Sequence, residues 1–135
     1  MPEPHARGVI DTSVVVDLEH LERSRLPLEV AITAVTLAGL AAGPHATDDP
    51  AERARRQDRL QRAEATFDPL PFDVTAARAY GRIYSTVVSS GRTARGARAI
   101  DLLIAATASS MGLPLYTRNP GDFAGLDDHV EVVSV

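Results

Sequence analysis

The chain of 135 residues contains no cysteine and no lysine. Without cysteine it cannot form a disulfide framework, a thiolate zinc site or a cysteine nucleophile. Because all 14 basic residues are arginine, the sequence also lacks the lysine of P-loops, of Schiff-base enzymes and of receiver-type phosphorylation sites. These two absences exclude several common classes of enzyme before any motif is considered.

Long apolar runs and an excess of positive charge are missing as well. No stretch approaches the run of about 18 apolar residues that spans a membrane, and the opening residues MPEPHARG contain no apolar core of an export signal. We therefore expect a cytoplasmic protein. The net charge of −4 argues against a protein that coats nucleic acid non-specifically through a basic face.

What the sequence does contain is a series of short apolar runs separated by helical patterns. Strands are predicted at residues 8–11, 30–35, 113–117 and 130–135, and helices at 13–22, 36–42, 50–66, 75–90 and 99–111. The runs are continuous rather than alternating, which indicates a parallel sheet covered on both faces. We predict a single α/β domain over residues 1–135, with three α/β/α layers around a central parallel sheet.

The segment VIDTSVVVDL places Asp11 at the end of the first predicted strand, with Thr12 and Ser13 directly behind it. In open α/β sheets, ligands bind beyond the carboxyl ends of the strands. A carboxylate at this position is therefore a candidate ligand for a hard cation. Asp-Thr-Ser is equally suited to capping the next helix, and both interpretations stay open.

Further oxygen ligands lie near the ends of other predicted elements. Asp101 is placed in the first turn of an apolar helix, where an unpaired carboxylate costs several kcal/mol unless a cation, water or the helix amino terminus stabilises it. An ordinary first-turn acid is the alternative. Asn119 and Asp122 follow the strand that ends at Thr117. Because parallel strands share a direction, these residues are expected to converge with Asp11, and an all-oxygen set of this kind suits Mg²⁺ or Mn²⁺.

The arginines form two clusters. Those between residues 53 and 62 are interpreted as a solvated helix face paired with Asp58 and Glu64. The second cluster lies in the Gly-rich segment GRTARGAR, just before Asp101. A flexible basic loop beside an acidic site is suited to holding a phosphate backbone.

Four segments together carry a resemblance to a known family: VIDTSVVVDL, AITAVTLAGLAAG, AIDLLIAATA and LYTRNPGDF. In this order they resemble the PIN domain of the VapC toxins of bacterial type II toxin–antitoxin pairs, over essentially the whole chain. The resemblance implies a Mg²⁺-dependent endoribonuclease whose metal-binding acids match Asp11, Asp101 and Asp122, with Asn119 as a further candidate. It assigns supporting roles to two sets: hydroxyls that orient the carboxylates or bind phosphate oxygens (Thr12, Ser13, Thr36, Thr117), and RNA contacts (Arg92, Arg95, Arg98, Arg118).

One position departs from the family. Its second motif resembles T-x-x-E-L-x-x-G, and this chain has Gly39 where the glutamate of the catalytic site is expected. If Thr36 begins the helix, a glutamate at position 39 would complete a capping box, which glycine cannot do. The loss of one of four acids predicts weaker metal binding and impaired cleavage. Whether the glycine is natural or a deliberate replacement stays open.

Two rival functions conflict with the sequence, and a third is compatible with it. A receiver domain needs lysine, and an aspartyl-nucleophile phosphatase needs a second aspartate where Ser13 stands. The serious alternative is a catalytically silent PIN-fold protein that binds RNA or an antitoxin. The expected partners are RNA, a VapB-type antitoxin carrying an arginine and an apolar helix, and a second copy of the chain. A groove for that helix is predicted from Val14, Leu18, Leu21, Leu37 and Leu40, and the homodimer is predicted from the apolar residues 100–108 together with Tyr80, Ile83, Tyr84 and Val87.

Overall fold

The computed structural model describes residues 5–135. Residues 1–4, on which the predictions about the amino terminus and the domain span partly rest, lie outside the described residues. Four strands form one sheet in the order β2-β1-β3-β4, and each neighbouring pair is parallel. The strands are Arg7–Ile10 (β1), Glu29–Ala31 (β2), Leu115–Thr117 (β3) and Val132–Ser134 (β4).

The register brings the carboxyl ends of all four strands to one edge of the sheet. Val9 lies opposite both Ala31 of β2 and Leu115 of β3, and Thr117 lies opposite Ser134. The residues that follow β1 and β3 therefore emerge side by side.

Five helices cover the two faces of the sheet. They are Thr12–Val16 (α1), Ala34–Ala42 (α2), Pro50–Thr66 (α3), Val74–Ser89 (α4) and Ala97–Ser110 (α5). Successive residues of a strand point to opposite faces, and β1 divides accordingly. Val9 packs in a buried cluster with residues of α4 and α5, whereas Ile10 packs in a second cluster with residues of α1, α2 and α3. The predicted three-layer α/β/α fold with a central parallel sheet is confirmed.

The second strand ends earlier than its β-branched sequence predicts. β2 stops at Ala31, and the chain then pairs briefly with Leu70, whose N–H donates to the carbonyl of Ile32 at 2.9 Å while its own carbonyl accepts from Ala34 at 2.8 Å. Thr33, not Thr36, is the cap of α2, because its hydroxyl accepts a hydrogen bond from the Thr36 N–H at 3.1 Å. The predicted strand 30–35 was therefore too long by the residues that make this cap.

The first helix is also shorter than predicted. Only Thr12–Val16 is α-helical, and two 3₁₀ turns at Leu18–His20 and Arg23–Arg25 follow. Consecutive valines and an aspartate are poor helix formers, which accounts for the early end. Gly112 ends α5 with a φ of +66°, as predicted for a left-handed cap. Within residues 5–135, no helix has both the length and the apolar character of a membrane span.

Candidate active site

Asp11 directly follows β1 and is almost fully buried, with 4% of its surface exposed. Its Oδ1 accepts two hydrogen bonds, one from the Val14 N–H at 3.2 Å and one from the Ser13 hydroxyl at 2.6 Å. Asp11 is therefore the cap of α1. Both bonds end on the same oxygen, and Oδ2 accepts no hydrogen bond from the described part of the chain. A cap and a cation ligand are thus compatible roles for one carboxylate.

Ser13 connects Asp11 to the end of β3. Its oxygen accepts the Arg118 N–H at 3.1 Å and lies 3.5 Å from the Thr117 hydroxyl, which is fully buried. Because Arg118 supplies a proton to this oxygen, the proton of Ser13 is free to be donated to Asp11. The Thr117 hydroxyl in turn accepts the Asn119 N–H at 3.0 Å. This set of bonds fixes the Asp11 carboxylate relative to the segment after β3.

A second set of hydroxyls joins α1 to α2. The Thr12 hydroxyl donates to Thr36 Oγ1 at 3.3 Å, and the Thr33 hydroxyl contacts the same oxygen at 3.3 Å. All four predicted hydroxyl residues therefore lie around Asp11 or beside it. Thr33 was not predicted, although a threonine three residues before Thr36 has the spacing of a helix cap.

Asp101 lies in the second turn of α5 and not in the first, because the helix begins at Ala97. Its pKa is raised to about 6 by burial and by the negative charges of Asp122 and Asp11, against the opposing effect of the Arg98 guanidinium. The negative charges of Asp122 and Asp11 thus both act on Asp101 at the edge of the sheet. This repulsion is the situation that a bound cation relieves.

The donor set fits a divalent cation only in part. The three carboxylates offer hard oxygen ligands of the type that Mg²⁺ and Mn²⁺ prefer. In residues 5–135, however, no three His, Asp or Glu side chains are close enough to form a ready set of metal ligands. Binding of one cation by all three carboxylates therefore requires that at least one of them change position.

Asn119 and Asp122 lie at a 3₁₀ turn, Pro120–Phe123, that follows β3. The Asp122 N–H donates to the Asn119 carbonyl at 3.0 Å. The Asn119 side chain caps nothing in this turn. Asp122 is the one carboxylate of this turn, and its charge acts on Asp101; the choice between Asp122 and Asn119 as a metal ligand stays a prediction.

Gly39 is the sixth residue of α2 and is exposed. The capping-box interpretation of this position was wrong, because Thr33 caps the helix and position 39 lies one turn beyond Thr36. A Cβ built on Gly39 meets no atom within 4 Å. The backbone here is helical, so a glutamate can be accommodated without displacing a neighbour.

The four predicted RNA-binding arginines differ in their surroundings. Arg98 donates to the carbonyl of Asp122, Arg92 donates to the carbonyl of Ala124 at 3.4 Å, and the Arg118 guanidinium lies 3.1 Å from Asp17. Only Arg95 is an exposed side chain for which no intramolecular partner is found in residues 5–135. Three of the four guanidinium groups are therefore already bound within the chain.

Three of the five arginines of α3 form ion pairs, as predicted for a solvated helix face, whereas Arg53 donates to the carbonyl groups of Pro44 and Thr47. Arg55 and Arg56 pair with Glu52, at 2.6 and 3.1 Å. Arg62 pairs with Asp58 at 2.7 Å and lies 3.5 Å from Glu19. Glu52 thus takes the role predicted for Glu64.

An open apolar groove runs between α1 and α3. It is lined by Val15, Val16, Leu18, Ala63 and Phe67, with charged groups at its rim, and it adjoins a second groove that Leu21, Leu26, Leu28 and Val30 line. Of the residues predicted to form a groove, Leu18 and Leu21 line these grooves and Leu37 lines neither of them. The prediction was wrong for Val14 and Leu40, which are buried in the core.

The apolar surface predicted for self-association is mostly used within one copy of the chain. Ile83, Val87 and the α5 residues Leu102 and Ile104 are buried between α4, α5 and the sheet. The large apolar side chains that stay exposed on these helices include Tyr84, Val88 and Ile100, each about half exposed.

These features define a parallel α/β domain with three carboxylates near the carboxyl edge of its sheet, and comparison with known proteins identifies the class. Residues 8–128 match the PIN domain family. Ribonuclease VapC5 of Mycobacterium tuberculosis is 40% identical over 135 residues, covering 96% of each chain. Ribonuclease VapC of Rickettsia bellii is 28% identical, covering 94% of this chain and 95% of its own. A crystal structure of VapBC-5, from the VapBC family of toxin–antitoxin systems of M. tuberculosis, superposes with a TM-score of 0.84 over 96% of this chain and 99% of that one. The chain belongs to the PIN domain family and, within it, to the VapC proteins.

Proposed function

We propose that this chain is the toxin of a type II toxin–antitoxin pair and acts as a metal-dependent endoribonuclease. The observation that carries the proposal is the convergence of Asp11, Asp101 and Asp122 at the carboxyl edge of a parallel sheet, in a chain 40% identical to Ribonuclease VapC5. The substrate is RNA, and the reaction is hydrolysis of a phosphodiester.

The cation that suits this site is Mg²⁺, with Mn²⁺ as the substitute. Asp11, through its free Oδ2, would hold it together with Asp101 and Asp122. When bound, such an ion supplies Lewis-acid activation of the phosphodiester and of water. Ser13 fixes Asp11 by donating to its Oδ1, and Thr117 keeps the following segment, with Asn119, at the same edge.

Gly39 lowers the activity that the site can reach. The family's motif implies a fourth carboxylate here, and α2 contains no charged residue that could replace it. Fewer negative charges bind a divalent cation less tightly, since Mg²⁺ is held through a small number of carboxylates. A catalytically silent protein that binds RNA or an antitoxin remains the second candidate, and Gly39 together with the incomplete ligand set is the observation that favours it.

The natural partner is a VapB-type antitoxin, in line with the VapBC-5 toxin–antitoxin structure. Its apolar helix would occupy the groove between α1 and α3, and an arginine of the antitoxin would reach the carboxylates. A second copy of the chain completes the toxin as a homodimer. The exposed residues Tyr84, Val88 and Ile100 are candidates for that interface.

A ribonuclease assay with Mn²⁺ tests the enzymatic part of the proposal. We expect weak cleavage by the parent chain and clear cleavage by Gly39→Glu, with products that carry a 5′-phosphate and a 3′-hydroxyl because water is the nucleophile. Cleavage that persists in excess EDTA, or products that end in a cyclic phosphate, would contradict the metal mechanism. No cleavage by either form would favour the silent binding protein.

The partner is tested by co-expression with the neighbouring small gene, followed by purification of the complex. Leu18→Glu is expected to prevent a stable complex, because it places a charge on the floor of the groove. Val74→Glu serves as the control, since Val74 is an exposed apolar residue on α4, outside the groove. Equal loss of the complex in both variants would contradict docking in the groove.

A further inference from the structure

Two arginines of one short segment bind the turn that carries Asp122. Arg92, in the loop after α4, donates to the carbonyl of Ala124 at 3.4 Å. Arg98, in the first turn of α5, donates to the carbonyl of Asp122 itself. Both guanidinium groups are thus used to hold backbone, and only one of them binds the residue that bears the carboxylate.

Arg98 is placed to connect the two acids of this side of the site. It precedes Asp101 by three residues on α5, so the two side chains lie on the same face of the helix. One end of the Arg98 side chain is therefore tied to the helix of Asp101 and the other to the backbone of Asp122. The guanidinium also lies close enough for its charge to act on Asp101.

The contact from Arg98 acts on a turn whose carboxylate lies close enough to Asp101 for its charge to raise the pKa of Asp101. It is a single 3₁₀ turn, Pro120–Phe123, closed by the bond from the Asp122 N–H to the Asn119 carbonyl at 3.0 Å. Phe123 is buried and fixes the end of the turn. The hydrogen bond from Arg98 to the Asp122 carbonyl connects α5 to the middle of the turn.

We infer that Arg98 is a positioning residue, which holds Asp122 beside Asp101 so that both carboxylates reach one divalent cation, and that it does not contact RNA. The inference rests on the proposed metal site. The three arginines then have different roles. Arg98 positions the Asp122 carboxylate, and Arg92 binds the backbone just after the turn. Arg95, which is exposed and has no partner within residues 5–135, is the arginine that remains available to bind RNA phosphates.

Mn²⁺ binding to the full chain, measured by titration calorimetry in the Gly39→Glu background, separates positioning from charge. Removal of a cation beside a metal site strengthens cation binding if charge alone matters. Removal of a positioning residue weakens it, and residues that orient metal ligands contribute about 10–100-fold to metal affinity. We therefore expect Arg98→Met to weaken Mn²⁺ binding by about tenfold or more, and Arg98→Lys, which still donates to a carbonyl, to recover part of the loss.

The matched controls are Arg92→Met and Arg95→Met, which remove the same charge from the same segment. Both are expected to leave Mn²⁺ affinity within about twofold of the parent, since neither side chain binds Asp122. Unchanged or tighter Mn²⁺ binding by Arg98→Met, with RNA affinity reduced, would overturn the inference and restore Arg98 as an RNA contact. If Arg98→Met does not fold by circular dichroism, Arg98→Gln, which is shorter and uncharged, is judged by the same criterion. If the Gly39→Glu parent binds no Mn²⁺, the proposed metal site is overturned, and the inference about Arg98 with it. If that parent binds Mn²⁺ and Arg98→Met binds it equally well, only the inference about Arg98 is overturned.

Discussion

Asp11 and Asp101 are carboxylates of one site with opposite surroundings. Asp11 is buried but receives two hydrogen bonds on Oδ1, from Ser13 and from the Val14 N–H. Asp101 is half-buried and receives no hydrogen bond from residues 5–135, and its pKa is raised to about 6 by burial and then by the charges of Asp122 and Asp11, against the opposing effect of Arg98. The fold thus gives the first carboxylate hydrogen-bond donors and gives the second a partly buried position near like charges.

The difference indicates that one carboxylate of the site contributes to folding, whereas the other is suited mainly to binding a cation. Asp11 contributes to folding as a helix cap, through the two hydrogen bonds that its Oδ1 accepts. Asp101 contributes nothing comparable, and its ionised form costs stability until a cation is present. Unfavourable electrostatics of this kind are typical of functional sites, where binding compensates the cost.

The largest expected effect concerns catalysis, where the two residues should be equally necessary. In the Gly39→Glu background, Asp101→Asn and Asp11→Asn are each expected to reduce Mn²⁺-dependent cleavage by at least about 100-fold, since an amide occupies the space of a carboxylate without its charge. Initial rates on a labelled RNA measure the effect. If either variant retained cleavage near that of its parent, the corresponding carboxylate would be left without a catalytic role.

The next effect concerns the free energy of unfolding, which removal of the Asp101 charge should raise and loss of the Asp11 carboxylate should lower. Asp101→Asn is expected to stabilise the metal-free protein at pH 8. The shift of the Asp101 pKa to about 6 corresponds to at most about 3 kcal/mol, and partial exposure to solvent reduces this to about 1–2 kcal/mol. Urea unfolding, followed by circular dichroism, measures the free energy of unfolding of both forms.

The gain from Asp101→Asn should depend on pH in a defined direction. The pKa in the folded state, about 6, lies above the ordinary value of 3.8. The ionised carboxylate therefore destabilises the fold fully above pH 6, less as the pH falls towards 4, and not at all below 4. Parent and variant should accordingly differ at pH 8 and converge near pH 4. Saturating Mn²⁺ at pH 8 should stabilise the parent and leave Asp101→Asn nearly unchanged. A difference that is constant from pH 4 to 8 would show that Asp101 is not electrostatically strained.

A smaller effect is expected at Asp11, with the conservative variant as its own control. Asparagine caps helices about as well as aspartate, so Asp11→Asn should retain the stability of the parent. Asp11→Ala loses the acceptor for Ser13 and Val14 and should cost about 1 kcal/mol. Thermal unfolding of the metal-free protein distinguishes them. Equal stability of the alanine and asparagine forms would mean that the hydrogen bonds to Oδ1 contribute nothing.

Part of this arrangement could be predicted from sequence because it is local. Helix α3 was predicted with its bounds, since Asp49 caps it and Pro50 occupies its first position. The carboxylates were predicted because each lies in or beside an element whose type the apolar pattern reveals. The common direction of parallel strands then implies that they meet at one edge, as Asp11 and Asp122 do.

The parts that failed depend on contacts between distant segments. The start of α2 is set by Leu70, about 40 residues away from Thr33, and no local pattern predicts that pairing. The start of α5 was predicted too late because the residue before it is Gly96, with a φ of +66°, which has no side chain to cap the helix. The sequence therefore contains no capping residue that would mark this helix start. The carbonyl groups that Arg92 and Arg98 bind were not predicted, because sequence shows the charge of an arginine but not its distant partners. That these arginines contact RNA stays a prediction.

The smallest expected effect separates the backbone of position 39 from its missing charge. Gly39 is helical, and a Cβ there meets no atom within 4 Å, so Gly39→Ala introduces no clash. Alanine in a helix interior is more favourable than glycine by about 0.5–1 kcal/mol, which should appear as a higher free energy of unfolding. Cleavage and Mn²⁺ affinity should not change, because alanine supplies no ligand. Gly39→Gln extends this control to the size of glutamate without its charge. If Gly39→Ala or Gly39→Gln restored cleavage as fully as Gly39→Glu, helix stability and not the fourth carboxylate would be what the parent chain lacks.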